Sequence, residues 1–202
     1  MFALPSPPKT HTTEMASADR KEHLLKVANV LAYLLFLVSN IYTVNPPQLT
    51  YENINNGETY FTPSIWAFSV WPIIHILLLC PIIYSFASDH GKAVVIDGIS
   101  WEFPLLTVLY AIFVTVRADH NQTVAFVASF FLAYVGRSIF FVVRRKDTPK
   151  SVGEQCFIIF PFSACQAWNA FLLCLTAFEA FGVDATAHED GFWTRLFVIL
   201  AL

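Results

Sequence analysis

Phe61-Thr62-Pro63-Ser64-Ile65-Trp66-Ala67-Phe68-Ser69-Val70-Trp71-Pro72-Ile73-Ile74-His75, continued by the apolar run Ile76 to Phe86, decides the fold. Thr62 and Ser64 are side chains that cap helix starts, and Pro63 is tolerated in a first helical turn. From Ser64 to Ala87 there is no Asp, Glu, Lys or Arg. At ~1.5 Å per residue this run is long enough to cross a hydrocarbon core of ~30 Å. Its aromatic residues gather at the start, which suits entry through a membrane interface. One ionisable side chain, His75, stands near the middle. Phe68, Trp71 and His75 are spaced i, i+3, i+7 and so share one helix face.

The composition extends this reading to the whole chain. Of 202 residues, 56% are apolar and only 13% charged, against about 25% charged in ordinary soluble domains. With a mean hydropathy of +0.56, the expected fold class is all-α: a polytopic membrane helical bundle of about five transmembrane helices plus a short or truncated sixth. The net charge of -3 and the lack of a basic patch give no reason to expect a nucleic-acid partner. Cys80, Cys156, Cys165 and Cys174 lie in apolar runs without metal-ligand spacing. They are expected to be buried apolar residues, with no disulfide.

Residues 1–23 are polar, Pro-containing and aperiodic, and are expected to form a disordered tail. The transmembrane domain, 24–202, then holds spans at about 24–44, 64–87, 101–116, 123–143 and 156–181, with a partial run at 192–202. That last run is too short to cross; it is either interfacial or the start of a helix cut short. Pro72 and Pro81 are expected to kink the second span or end it early. Asp89 to Gly98 is expected to be a short polar loop, and Ser100 to cap the third span. Lys and Arg gather before span one and after spans two and four, whereas Glu52, Glu58, Asp184, Glu189 and Asp190 lie in the alternate loops. By the positive-inside rule the N-terminus is cytoplasmic. Asn121-Gln122-Thr123 is a glycosylation sequon on the outer side, too close to the bilayer for ready use.

Two more polar stripes accompany the Phe68/Trp71/His75 face. Asn29, Tyr33, Phe36 and Asn40 share one face of the first span. Cys165, Asn169, Leu172, Thr176 and Glu179 share one face of the fifth. Amides in lipid turn toward protein, so these stripes are either interhelical contacts or the wall of a ligand cavity. Arg137 lies about two turns inside the basic end of span four. It can snorkel to that surface, or pair with a carboxylate or an anionic ligand group.

The first third resembles the tryptophan-rich TspO/MBR-like membrane proteins. The residues that carry the likeness are Asn40, Phe61-Thr62-Pro63, Ala67-Phe68-Ser69-Val70-Trp71, Ile74-His75 and Leu77-Leu78-Leu79, within about 29–82. His75 stands where that family usually has Tyr. The resemblance implies a five-helix fold and a cavity for porphyrin- or sterol-like ligands, and touches Pro63, Phe68 and Trp71.

The ligand-binding candidates are therefore Phe68, Trp71, His75, Asn29, Tyr33, Asn40 and Asn169. The ligand would be a lipophilic small molecule of porphyrin, sterol or isoprenoid type, bound or transported, with membrane lipids as the surrounding partner. No residue pattern calls for a metal or other cofactor. The alternatives are a terpene-cyclase-like membrane enzyme, for which Glu102 and Glu179 are the available acids, and a non-catalytic membrane subunit. Glu102 and Glu179 are expected at opposite membrane faces, too far apart to act as a pair.

Overall fold

The computed structural model describes residues 10–44, 69–146 and 152–181. The described residues are helical apart from short turns. In order they form α1 (Thr10–Val44), α2 (Val70–Ala87), α3 (Asp89–Val94) running into a π-helical turn (Val95–Ile99), and α4 (Glu102–Ala118). Next come α5 (Gln122–Lys146), α6 (Val152–Glu154) with a second π-helical turn (Gln155–Ile159), and α7 (Phe160–Phe181). Four helical segments are long and apolar enough to span: Ala18–Tyr42, Val70–Ala87, Gln122–Arg145 and Val152–Phe181. Asp89–Ile99 and Glu102–Ala118, bent by 71°, supply a fifth if the pair is one span. The chain is an all-α, multi-pass membrane protein.

Each long helix is apolar on its outside and mixed on its inside. On α1, Leu24, Val27, Leu31, Leu35 and Val38 are exposed while Leu25, Asn29, Ala32, Tyr33 and Phe36 are buried. On α2, Ile73, Ile76, Ile83 and Phe86 face outward while Ile74, Leu78, Ile82 and Ser85 face inward. This pattern suits lipid, which rewards an apolar exterior and leaves packing and hydrogen bonding to organise the interior. The helices close in the order α1, α4, α5, α7, α2 and back to α1.

Several local expectations change. The α1 backbone is helical from Thr10, so residues 10–23 are not all the unstructured tail that their aperiodicity suggests. Glu22 in this polar part accepts from Lys26 Nζ at 2.8 Å and also pairs with Lys92 on α3. Asp89 to Gly98 is helical rather than a loop. Its charged residues alternate with an inward face of Val94, Val95, Ile96 and Ile99, all buried. Ser100 does not cap α4 with its side chain; Trp101 is the residue before the helix and makes no side-chain cap. Ser100 instead has φ 54°, a region L-residues seldom enter, and that is where the bent pair turns.

Pro81 lies inside α2 without ending it, and the helix continues to Ala87. Pro161 lies just after the second π-helical turn. The wider turn lies where proline's missing N–H and ring would otherwise disturb a regular ladder. Cys165 is buried as expected, but Cys156 is exposed. Asn121 accepts from the Val124 N–H at 3.2 Å and so caps α5. The Phe61-to-Phe68 segment and the 192–202 run lie outside the described residues.

Gly136 sets the approach of α5 to α7. A Cβ there would stand 2.5 Å from Asn169 Nδ2 and 2.7 Å from Gln166 Oε1. Gln166 Oε1 has no hydrogen-bond partner among the described residues and can yield. Asn169 Nδ2 cannot yield freely, because it donates to the Leu132 carbonyl at 3.2 Å. Alanine gains up to ~1 kcal/mol of helix propensity over glycine, but overpacking costs ~1–3 kcal/mol, so the clash wins. Gly136→Ala is expected to lower the melting temperature of the detergent-solubilised protein. The loss should shrink when Asn169→Ala is added. A rise in melting temperature for the single variant would show that the contact is not confining.

Candidate functional site

The site lies where α1, α2, α4 and α7 converge, and Phe36 is its hub. Its ring is fully buried and stacks with His75 at 4.3 Å between centroids and with Tyr110 at 5.1 Å. Trp71 closes the group. It meets Tyr110 edge-on at 5.9 Å and Trp168 at 5.6 Å, with Phe36 at 6.1 Å. Trp168 stacks on Phe171 at 4.9 Å. These offset and edge-to-face arrangements are the ones that aromatic quadrupoles favour.

Helical spacing explains the assembly. Tyr33 and Phe36 are one turn apart on α1, as are Trp71 and His75 on α2, so each helix offers two rings to the same level. Tyr33 ties the two helices together by donating its hydroxyl to the His75 carbonyl at 3.1 Å. Its ring stands edge-on to the imidazole at 6.4 Å. Tyr110 is supplied by α4 and donates to Asn169 Oδ1 on α7. Asn169 passes the contact on to α5 through Leu132. Three helices are thus joined by one buried carboxamide.

The polar atoms near the rings fall into two groups. Asn169, fully buried, has both ends of its amide engaged by protein. His75 Nδ1 and Trp168 Nε1 are buried and have no hydrogen-bond partner among the described residues. Both atoms of the Asn29 amide, on the same α1 face as Tyr33, are in that position too. Buried polar groups are nearly always bonded, so atoms without a partner among the described residues stand out beside the aromatic cluster.

The seven sequence candidates divide accordingly. Tyr33, Trp71 and His75 come together, and Asn29 lies buried on the same face of α1. Asn169 reaches the cluster but serves as a link between helices. Asn40 turns back on its own helix, donating to the Phe36 carbonyl at 2.9 Å. Phe68 lies outside the described residues. Phe36 was visible in the α1 stripe as a neighbour of Tyr33. Tyr110 and Trp168 were not singled out: with 20 Phe, 7 Tyr and 5 Trp in the chain, one more aromatic on an apolar span carries no signal.

The two candidate acids are separated and separately engaged. Glu102 Oε1 accepts from Ser138 at 2.9 Å at the start of α4. Glu179 pairs with Arg117 at 2.6 Å near the other end of α4, about 22 Å along the helix at ~1.5 Å per residue. No group of three or more His, Cys, Asp or Glu that could hold a metal occurs among the described residues. A cleft of about 200 Å³ lies apart from the rings, at the Glu22, Lys26, Ser85 and Lys92 end of the bundle.

The family model described as TSPO-like protein matches residues 26–202, so the likeness extends far beyond the 29–82 segment in which the sequence motifs lie. No curated protein and no solved structure matches the chain. A match over nearly the whole chain, together with the apolar helical bundle, places this multi-pass membrane protein in the TSPO-like family.

Proposed function

We propose that the chain binds a lipophilic small molecule at the aromatic cluster between α1, α2, α4 and α7. The observation that carries this reading is the pair of buried atoms without a partner among the described residues, His75 Nδ1 and Trp168 Nε1, beside Trp71. Ligand sites combine apolar and aromatic walls with a few polar groups that fix orientation. Phe36, Trp71 and Tyr110 supply faces for a flat or ring-bearing molecule. The indole N–H of Trp168 donates, and His75 Nδ1 accepts or donates according to its tautomer. The family resemblance favours porphyrin- or sterol-like ligands, and the aromatic walls would also suit an isoprenoid.

Titration of the purified protein with a porphyrin, a sterol and a polyprenyl alcohol is expected to quench tryptophan fluorescence for at least one of them. Trp168→Phe keeps the ring and removes the N–H, and is expected to weaken that ligand about fivefold to tenfold, the worth of ~1 kcal/mol or slightly more. Asn40→Ala should leave the affinity unchanged. Absence of any response to all three classes would sink the proposal.

The basic end of the bundle is assigned to the cytoplasm, with the N-terminus on that side. The support is the excess of Arg20, Lys21, Lys26, Lys92, Arg144 and Arg145 at that end. In sealed vesicles of known orientation, an impermeant maleimide should label an Ala18→Cys variant only from the cytoplasmic face. The same experiment needs the native cysteines replaced, because Cys156 is exposed. Labelling from the outer face alone would reverse the assignment.

A further inference from the structure

The outward face of α5 carries two arginines whose placement the ligand site does not explain. Arg137, Phe140, Phe141 and Arg144 lie at i, i+3, i+4 and i+7, on one side of the helix. Arg137 Cζ stands 4.9 Å from the centroid of the Phe141 ring, and Arg144 Cζ stands 5.3 Å from that of Phe140. The two rings are neighbours, 6.0 Å apart. Arg137 therefore leans toward the basic end of α5, while Arg144 leans back from it. Each guanidinium lies over one of two neighbouring rings. Neither has an ion pair with a carboxylate among the described residues.

Like charges brought together at an apolar surface repel, and the repulsion grows as water is withdrawn. The depth makes this arrangement costlier still. α5 runs from Gln122 to Lys146, longer than a ~30 Å hydrocarbon core at ~1.5 Å per residue. Arg137 starts about 13 Å inside the Lys146 end on that rise. Its lean over Phe141 carries the guanidinium toward that end of the helix. Toward the membrane interior the same face continues with exposed Tyr134 and Phe130, an apolar track suited to acyl chains.

We infer that Arg137 and Arg144, held over Phe141 and Phe140, form a clamp for the phosphate of an anionic phospholipid on the outer face of α5. The phosphate supplies the counter-charge that neither guanidinium finds among the described residues. Arginine suits the task because its planar fork binds phosphate oxygens in pairs while its face remains stacked on a ring. Arg145, one position on, is exposed but has no such ring contact, and belongs to the general basic end. The clamp is separate from the interior cluster, so it stands or falls independently of the proposed ligand.

The test uses the full chain in neutral detergent micelles. Its melting temperature is followed while phosphatidylserine, phosphatidylcholine or inorganic phosphate is added. Phosphatidylserine is expected to raise the melting temperature with saturation, and the other two are not. Arg137→Gln with Arg144→Gln should raise the half-saturating phosphatidylserine concentration about tenfold or more, given the usual worth of each basic residue near a lipid surface. Arg145→Gln should move it less than about threefold. Equal half-saturation for wild type and the double variant overturns the clamp. So does an equal response to inorganic phosphate, or a loss in Arg145→Gln as large as in the double variant. Should the double variant not fold, Arg144→Gln at the helix end serves in its place, and an unchanged half-saturating concentration there overturns the clamp too.

Discussion

Asn169 can reach the Leu132 carbonyl because position 136 carries no side chain, and much of the interior depends on that contact. In lipid an unsatisfied carboxamide is costly and water is not at hand to compensate. The Asn169 amide therefore fixes where α4, α5 and α7 stand relative to one another, through Tyr110 on one side and Leu132 on the other. Tyr110 in turn positions Phe36 by ring stacking, and Phe36 positions His75. A chain of contacts thus runs from a glycine on α5 to an imidazole on α2. Ser129 and Thr176, whose hydroxyls lie 2.7 Å apart, and the Arg117–Glu179 pair continue the polar contacts toward the far end of α7.

The same rule separates polar groups bonded across the bundle from those without a partner among the described residues. Where an amide or hydroxyl meets a partner across a helix interface, it orders the bundle. Where a buried donor or acceptor has no such partner among the described residues and stands beside stacked rings, it supports the proposed ligand site. His75 Nδ1 and Trp168 Nε1 are of the second kind. The α5 arginines follow the same logic at the surface: a charge without a counter-charge among the described residues points to the chemistry that would supply one.

Much of this was legible in the sequence because lipid imposes a simple demand, a long run without charge. That demand gave α2, α5 and α7 closely and placed Tyr33, Trp71 and His75 on inward faces. It failed where charge and burial alternate at helical spacing. Asp89, Lys92 and Asp97 hide the inward face formed by Val94, Val95, Ile96 and Ile99, so a helix reads as a loop. For Asn40 and Asn169 it was silent on their hydrogen-bond partners. Spacing shows which face a residue shares, but not whether its amide turns back on its own helix or crosses to the next. Tyr110 and Trp168 escaped notice because nothing in a sequence so rich in aromatics distinguishes a ring that meets others from one that meets lipid.

The central claim is that the interior rings, rather than the lipid-facing ones, receive the ligand. Photo-crosslinking with a diazirine-bearing sterol or polyprenyl probe, followed by peptide mapping, tests it most directly. The account predicts label on Phe36, Trp71, His75 or Trp168, diminished by excess unlabelled ligand. Label confined to Phe130, Phe131 and Tyr134 on the outer face of α5, undiminished by competitor, would contradict it.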